Sequence, residues 1–223
     1  MNKLSKRVGP RIVDFALKNY KTSNTLFVLG SGASINEIME NKWEHINEHD
    51  SIGLNRWPVH DHVPTYHVFE MKMCLGYKAY NQRYLDLLKA NAEAYSEIPV
   101  ILKNTIPLQR KLSPDYLPAW LAGNLILSSD TAFSQLVSSD DRIKENKALL
   151  EYLLVNEYFD EGNIKVLYRK RGSISYLLHL GVVLGYDTIV LCGVDMVNSD
   201  YFFEDVLTTM IVKDDRFRDT NRI

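Results

Sequence analysis

The chain has 223 residues, 46% of them hydrophobic, and carries 26 Lys and Arg against 28 Asp and Glu, a formal net charge of -2. That length and apolar content suffice for one full core, and the near-neutral balance supplies no basic field to attract nucleic acid, so no nucleic-acid partner is expected. Its two cysteines, Cys74 and Cys192, stand apart in apolar sequence, and no apolar run reaches the roughly 20 residues of a spanning helix; a disulfide framework and a membrane span are excluded, and a cytoplasmic location is expected.

Met1–Arg11 is polar and basic, and Ile12, Val13, Phe15, Ala16, Leu17 and Tyr20 then recur at helical spacing behind Pro10. This predicts an N-terminal amphipathic helix within residues 1–24, packed on the back of the domain, with peripheral association at the inner face of a membrane as the alternative. Residues 25–223 read as a single domain. Thr25–Leu29 is an apolar strand that stops at Gly30-Ser31-Gly32-Ala33-Ser34, and Ser34 with Glu37 has the spacing of a capping box for a following helix. Short strands are expected at Ser51–Leu54, ending at Asn55 and Arg56, and at Thr65–Phe69, ending at Glu70. Met71–Ser96 favours helix and Ile98–Leu102 favours strand.

Pro107, Pro114, Pro118 and Trp120 then break the pattern, which predicts a lid-like insertion around residues 103–127. Ser128-Ser129-Asp130 is expected to cap a helix reaching Leu136, Asp140-Asp141 another reaching Leu154, and Lys165–Tyr168 to form a strand. Arg169-Lys170-Arg171-Gly172-Ser173 leads into an apolar helix stopped by Gly185, and Ile189–Cys192 is a buried strand that delivers Asp195 through Gly193. Alternating strands and helices define an α/β fold with a mostly parallel sheet and helices on both faces.

The chemistry is expected where strands end, because open parallel sheets bind ligands at their carboxyl edge. Gly30, Ser31, Gly32, Ala33 and Ser34 offer backbone donors and hydroxyls for a phosphate at a helix start, without the Gly-Lys-Ser/Thr of a Walker loop or the third glycine of a dinucleotide fingerprint. Asn55 suits a base or ribose edge and Arg56 a phosphate; Arg171, Gly172 and Ser173 form a second cationic, hydroxyl-bearing helix entry. Glu70 and Asp195 are the ionisable groups placed for general acid, base or nucleophilic work. His60, His62 and His67 with Asp61 lack a metal-ligand spacing, so no metal is expected.

At these residues the chain resembles the bacterial CMP-sialic-acid-dependent sialyltransferases and, more loosely, the transferases that use CMP-Kdo. Their strand-G-x-G-P-S-L opening is matched by Val28-Leu29-Gly30-Ser31-Gly32-Ala33-Ser34-Ile35, with Ala33 in place of proline. Asn55 falls at the asparagine that ends their next strand, and Lys170–Tyr176, Gly185-Tyr186 and Cys192-Gly193-Val194-Asp195 mirror their R-x-T-S-G helix, G-Y turn and S-G-I-D strand end. The resemblance implies a Rossmann-like domain and a glycosyltransferase that moves an acidic sugar from a CMP-activated donor to a cell-surface glycan acceptor, with no cofactor beyond the donor.

Ser173 inherits a donor contact, and Tyr201 stands in for a phosphate-binding tyrosine, since Met196-Val197 follows Asp195. No histidine follows His179 at the place of the sialyltransferase base, and Glu70 with Asp195 as catalytic pair tilts the expectation toward Kdo or a related sugar. The alternatives are a diphosphokinase-like nucleotide enzyme and a non-catalytic nucleotide-sugar-binding module.

Overall fold

The computed structural model describes residues 15–70, 78–104, 121, 124–132, 144, 147–148, 151–152, 155, 167–169, 173–196 and 200–204. Seven strands build one sheet: β1 (Thr25–Leu29), β2 (Asp50–Leu54), β3 (Tyr66–Glu70), β4 (Val100–Asn104), β5 (Leu125–Ala132), β6 (Leu167–Arg169) and β7 (Thr188–Cys192). Their order is β6-β5-β4-β3-β2-β1-β7, and every neighbouring pair is parallel. This is an α/β, Rossmann-like fold. The strands β1 to β6 march in one direction, and the chain then returns to place β7 against the free side of β1. Sheet order therefore reverses between β1 and β7, and their carboxyl ends flank the crevice where such folds seat ligands.

Among the described residues, α1 (Glu40–Asn47), α2 (Lys78–Ala90), α3 (Ala92–Tyr95) and α4 (Ile174–Val183) are helical. Right-handed crossovers put the helices of the outward march on one face and the returning α4 on the other. The packing agrees. Tyr176, Leu177, Leu180 and Val183 of α4 pack with Leu26, Val28, Ile52, Leu54, Val68 and Ile101. The alternate strand residues face the other way: Phe27 and Leu29 meet Ile46 of α1, and Phe69, Val100 and Leu102 meet Tyr84, Leu85 and Leu88 of α2. Gly185, at φ 76, ends α4 as expected; Tyr186 N–H donates to Gly181 O at 3.1 Å and Gly185 N–H to Val182 O at 2.9 Å, which satisfies two terminal carbonyls.

Several local expectations change. The residue pattern behind Pro10 ends in a short 3-10 helix, Phe15–Tyr20, whose Leu17 is fully buried against the α4 face; residues 1–14 lie outside the described residues. Ser128-Ser129-Asp130 do not cap a helix but lie within β5, because tertiary pairing with β4 overrides their turn preference. The proposed lid loses both ends, since Lys103 belongs to β4 and Leu125–Leu127 to β5; residues 105–120 and 122–123 lie outside the described residues. No described helix is long and apolar enough to cross a membrane.

The amino edge of the sheet is tied by Asp50. Its Oδ2 accepts the Thr22 N–H at 2.9 Å, the Ser23 N–H at 3.1 Å and the Tyr186 hydroxyl at 2.7 Å, and its Oδ1 accepts the Thr22 hydroxyl at 2.7 Å. The carboxylate is 1% exposed, so these four donors replace water almost entirely. Asp50→Ala strands them, and a urea midpoint lower by the equivalent of about 3 kcal/mol is expected, against about 1 kcal/mol for Tyr186→Phe.

Candidate functional site at the strand carboxyl ends

The crevice is built by a close approach. Gly30 N–H donates to Cys192 O and Gly32 N–H to Gly193 O, both at 2.8 Å, so the β1–β7 pairing continues past the strands into the glycine loop. A Cβ at Gly30 would lie 2.3 Å from Gly193 O, and one at Gly32 would lie 2.4 Å from Asp195 Oδ2. Only glycine permits that approach. It brings the Asp195 carboxylate under Ser34, whose N–H donates to Oδ2 at 3.0 Å and whose hydroxyl donates to Oδ1.

This geometry corrects the expected phosphate cradle. The amides of Gly30, Gly32, Ala33 and Ser34 all donate to protein oxygens, Ala33 to Asp200 O at 3.2 Å. Nor does Ser34 cap an α-helix: Ala33–Glu37 is a 3-10 helix with Gly32 at its cap, and α1 starts at Glu40. The chain's own Asp195 occupies the anion position, and the hydrogen bonds from the Ser34 hydroxyl and then its N–H hold the Asp195 carboxyl below the usual carboxylate range. A carboxylate so held is a weak base, which suits Asp195 to positioning the loop and accepting ligand hydroxyls rather than to taking a proton.

Residues 200–203 close the loop from its other side. Gly32 bridges Tyr201 antiparallel, and Phe202 N–H donates to Ser31 O at 3.1 Å. Phe202 and Phe203 are buried with Leu29, Ile35 and Trp57, and this anchor delivers Tyr201 to the crevice, its ring stacked on Phe203 at 5.0 Å. The Arg56 guanidinium lies over the same Phe203 ring at 5.8 Å. Arg56 and Tyr201, far apart in sequence, thus both contact the Phe203 ring.

Asn55 follows β2 with φ 51, a left-handed conformation that asparagine tolerates better than most residues. Its N–H donates to Val68 O at 2.8 Å and its Oδ1 accepts the Glu70 N–H at 3.1 Å, so it clasps the ends of β2 and β3. In the neighbouring register position of β4, facing Glu70, sits Lys103. Its ammonium is 3.0 Å from Glu70 Oε2 and donates to Ser173 Oγ at 3.0 Å, with the Tyr176 ring at 5.5 Å.

Lys103 was missed by sequence reasoning, which put residue 103 in a lid. The available signal was a lysine two positions after Ile101, on the alternation that faces the core. It is 1% exposed, and it joins three expectations, Glu70 at a strand end, Ser173 at the entry to α4 and Tyr176 within it, into one polar cluster. Arg171 and Gly172, expected beside Ser173, lie outside the described residues.

His67 lies apart from His60 and His62, which pack around the same tryptophan. His67 is buried and hydrogen-bonded to Tyr84, and burial pushes its pKa down to about 3. His60 stacks on Trp57 at 4.8 Å, while burial first and the neighbouring His60 second push His62 down to about 4. Both are held neutral as packing groups around Trp43 and Trp57.

No family model matches the chain, and no curated protein or solved structure matches it. The site's meaning therefore rests on its own geometry.

Two expected outcomes test that geometry. Glu70→Ala leaves a buried ammonium with one neutral partner, whereas Lys103→Met leaves a carboxylate that is 31% exposed and turns to water. The first should cost about 3 kcal/mol and the second about 1 kcal/mol in chemical denaturation; the reverse order would contradict the pairing. For Asp195, whose folded value is depressed, the stabilisation is present above the unfolded pKa of about 4 and is lost as pH falls through the lower folded value. Urea midpoints of the wild type and Asp195→Asn should accordingly differ most near neutral pH and converge in acid.

Proposed function

We propose that the chain binds a CMP-activated acidic sugar, of the Kdo or sialic acid type, across the β1/β7 crevice and transfers that sugar to a hydroxyl of a cell-surface glycan. One observation carries the reading: Gly30–Ser34, Asn55, Glu70, Ser173 and Asp195, which bear the resemblance to CMP-sugar transferases, come from five separate chain segments and gather along one carboxyl edge around the switch in strand order. Open parallel sheets seat their ligands at that edge.

In this reading the nucleotide lies over the glycine loop, with Asp195 and Asn55 as hydrogen-bond partners for ribose and base. The amides of Gly30, Gly32, Ala33 and Ser34 are committed within the chain, so the phosphate is met by Arg56 and by the Tyr201 hydroxyl, both beside the Phe203 ring. As the bond between sugar and phosphate breaks, charge grows on the departing CMP, and a guanidinium that is already desolvated on one face stabilises it more than water does. Glu70, opened to solvent on one side and oriented by Lys103 and the Asn55 clasp, accepts the proton of the acceptor hydroxyl as the new glycosidic bond forms.

A thermal-shift panel of CMP, CDP, UDP, GDP and Mg-ATP tests the donor class. CMP is expected to raise the melting temperature selectively, with about 2.7 kcal/mol of stabilisation at a concentration 100 times its Kd. Stabilisation by Mg-ATP alone would sink the reading. In transfer assays with CMP-Kdo and CMP-sialic acid, Glu70→Gln should lose roughly 100-fold or more in kcat while keeping its thermal response to CMP. Undiminished turnover in that variant removes Glu70 from the chemistry.

A further inference from the structure

The amino edge of the sheet, opposite the crevice, carries a cluster that the transfer reaction does not use. His45 lies in the last turn of α1, Glu48 is that helix's C-cap and His49 follows, so the three side chains project from one side of the helix end. Their ligand atoms all lie within 4.8 Å of one another, and His45 Nδ1 is 3.3 Å from Glu48 Oε2. Two ligands on a tetrahedral cation with bonds of about 2.0–2.1 Å stand about 3.3 Å apart, so this pair already has ligand spacing. The His45 and Glu48 side chains are 58% and 73% exposed, which leaves the small rotations needed to close on a cation unopposed and its approach open.

His49 is held from behind. Its Nδ1 is 2.9 Å from Ser23 Oγ, which also accepts the Thr25 N–H at 3.0 Å. A hydroxyl oxygen has two lone pairs, so it can accept Nδ1–H as well, and in that tautomer Nε2 is bare to ligate. The two imidazoles meet edge to face at 4.8 Å, and both rest against the Phe27 ring, at 6.0 and 5.8 Å. An apolar floor and a hydrogen-bonded back are the supports that orient a histidine toward a metal.

We propose that His45, Glu48 and His49 form a binding site for a divalent transition-metal cation of the Zn²⁺ class, with water completing the coordination. Two imidazoles and one carboxylate favour such a borderline cation over Mg²⁺ or Ca²⁺, which take oxygen ligands. The site is separate from the donor crevice. Through His49 and Ser23 the cation ties the end of α1 to the approach of β1, and its role is to fasten that corner rather than to enter the chemistry.

The test is isothermal titration of the untagged full chain with ZnCl₂ and, separately, MgCl₂ at pH 7.5, accompanied by melting curves. Expected are one equivalent of Zn²⁺, a melting temperature that rises with Zn²⁺ and not with Mg²⁺, and an affinity lowered 10-fold to 100-fold in His45→Ala/His49→Ala and in Ser23→Ala, on the scale seen when a ligand or its support is lost. His45→Ala alone, at an exposed position, keeps the test valid if the His49 substitution impairs folding. Absence of Zn²⁺ binding in the titration, undiminished binding in His45→Ala, or an equal response to Mg²⁺ would each overturn the proposal.

Discussion

The contact on which the crevice depends is the approach of the β1 and β7 ends through Gly30, Gly32 and Gly193. With any side chain at Gly30 or Gly32 the backbone of Gly193 or the carboxylate of Asp195 would be pushed away. Gly193 itself has φ 64, which favours glycine, and a Cβ there would lie 2.4 Å from Ile35 Cγ1. The three glycines let Asp195 cross from β7 to bind Ser34, and that bond fixes the loop against which residues 200–203 fold. A Gly-rich loop after a first strand usually suggests amides waiting for a phosphate. Here the same conformation is used to seat a side chain of the protein.

Buried polar groups divide between the two edges of the sheet. At the amino edge, Asp50 takes donors from Thr22, Ser23 and Tyr186, a set with every partner supplied by the chain, and its role is to hold β2 to the segments before β1 and after α4. At the carboxyl edge, Glu70 and Lys103 are paired yet Glu70 still reaches solvent. A pair sealed from water stabilises a fold only when its geometry offsets desolvation, whereas a pair open on one side can exchange protons with a ligand. The two carboxylates differ in exposure, Asp50 sealed and Glu70 open on one side. Neither composition nor strand order conveys that distinction.

Much of the fold was legible. The strands expected from Thr25, Ser51, Thr65 and Ile189 are short, largely apolar runs, and each is present within a residue or two; the last, expected to be buried, is only partly so, with Leu191 45% exposed, because β7 stands at one end of the strand order. The Gly185 stop was equally plain, because the left-handed position it occupies excludes most residues. Ser128-Ser129-Asp130 misled because hydroxyl and carboxylate side chains favour caps locally, while the extension of β5 through them rests on pairing with Val100–Asn104 and Leu167, which local preference does not carry. Ser34 misled for a related reason. Its hydroxyl had a stronger partner in Asp195, distant in sequence, than the helix amides three residues on.

By itself the sequence determined the α/β class, the strand ends at which Asn55, Glu70 and Asp195 stand, and the glycines that allow a tight turn, because each follows from hydrophobic period or from backbone sterics over a few residues. Only the tertiary structure decided that Asp195 binds the loop at Ser34, that Arg56 and Tyr201 both contact Phe203, and that Lys103 lies buried between Glu70 and Ser173. Those pairings join segments far apart in the chain, and they form because the reversal of strand order between β1 and β7 and the return of α4 over the sheet bring separate strand ends to one edge. Local preference carries no information about which ends will meet; the closing of the sheet does.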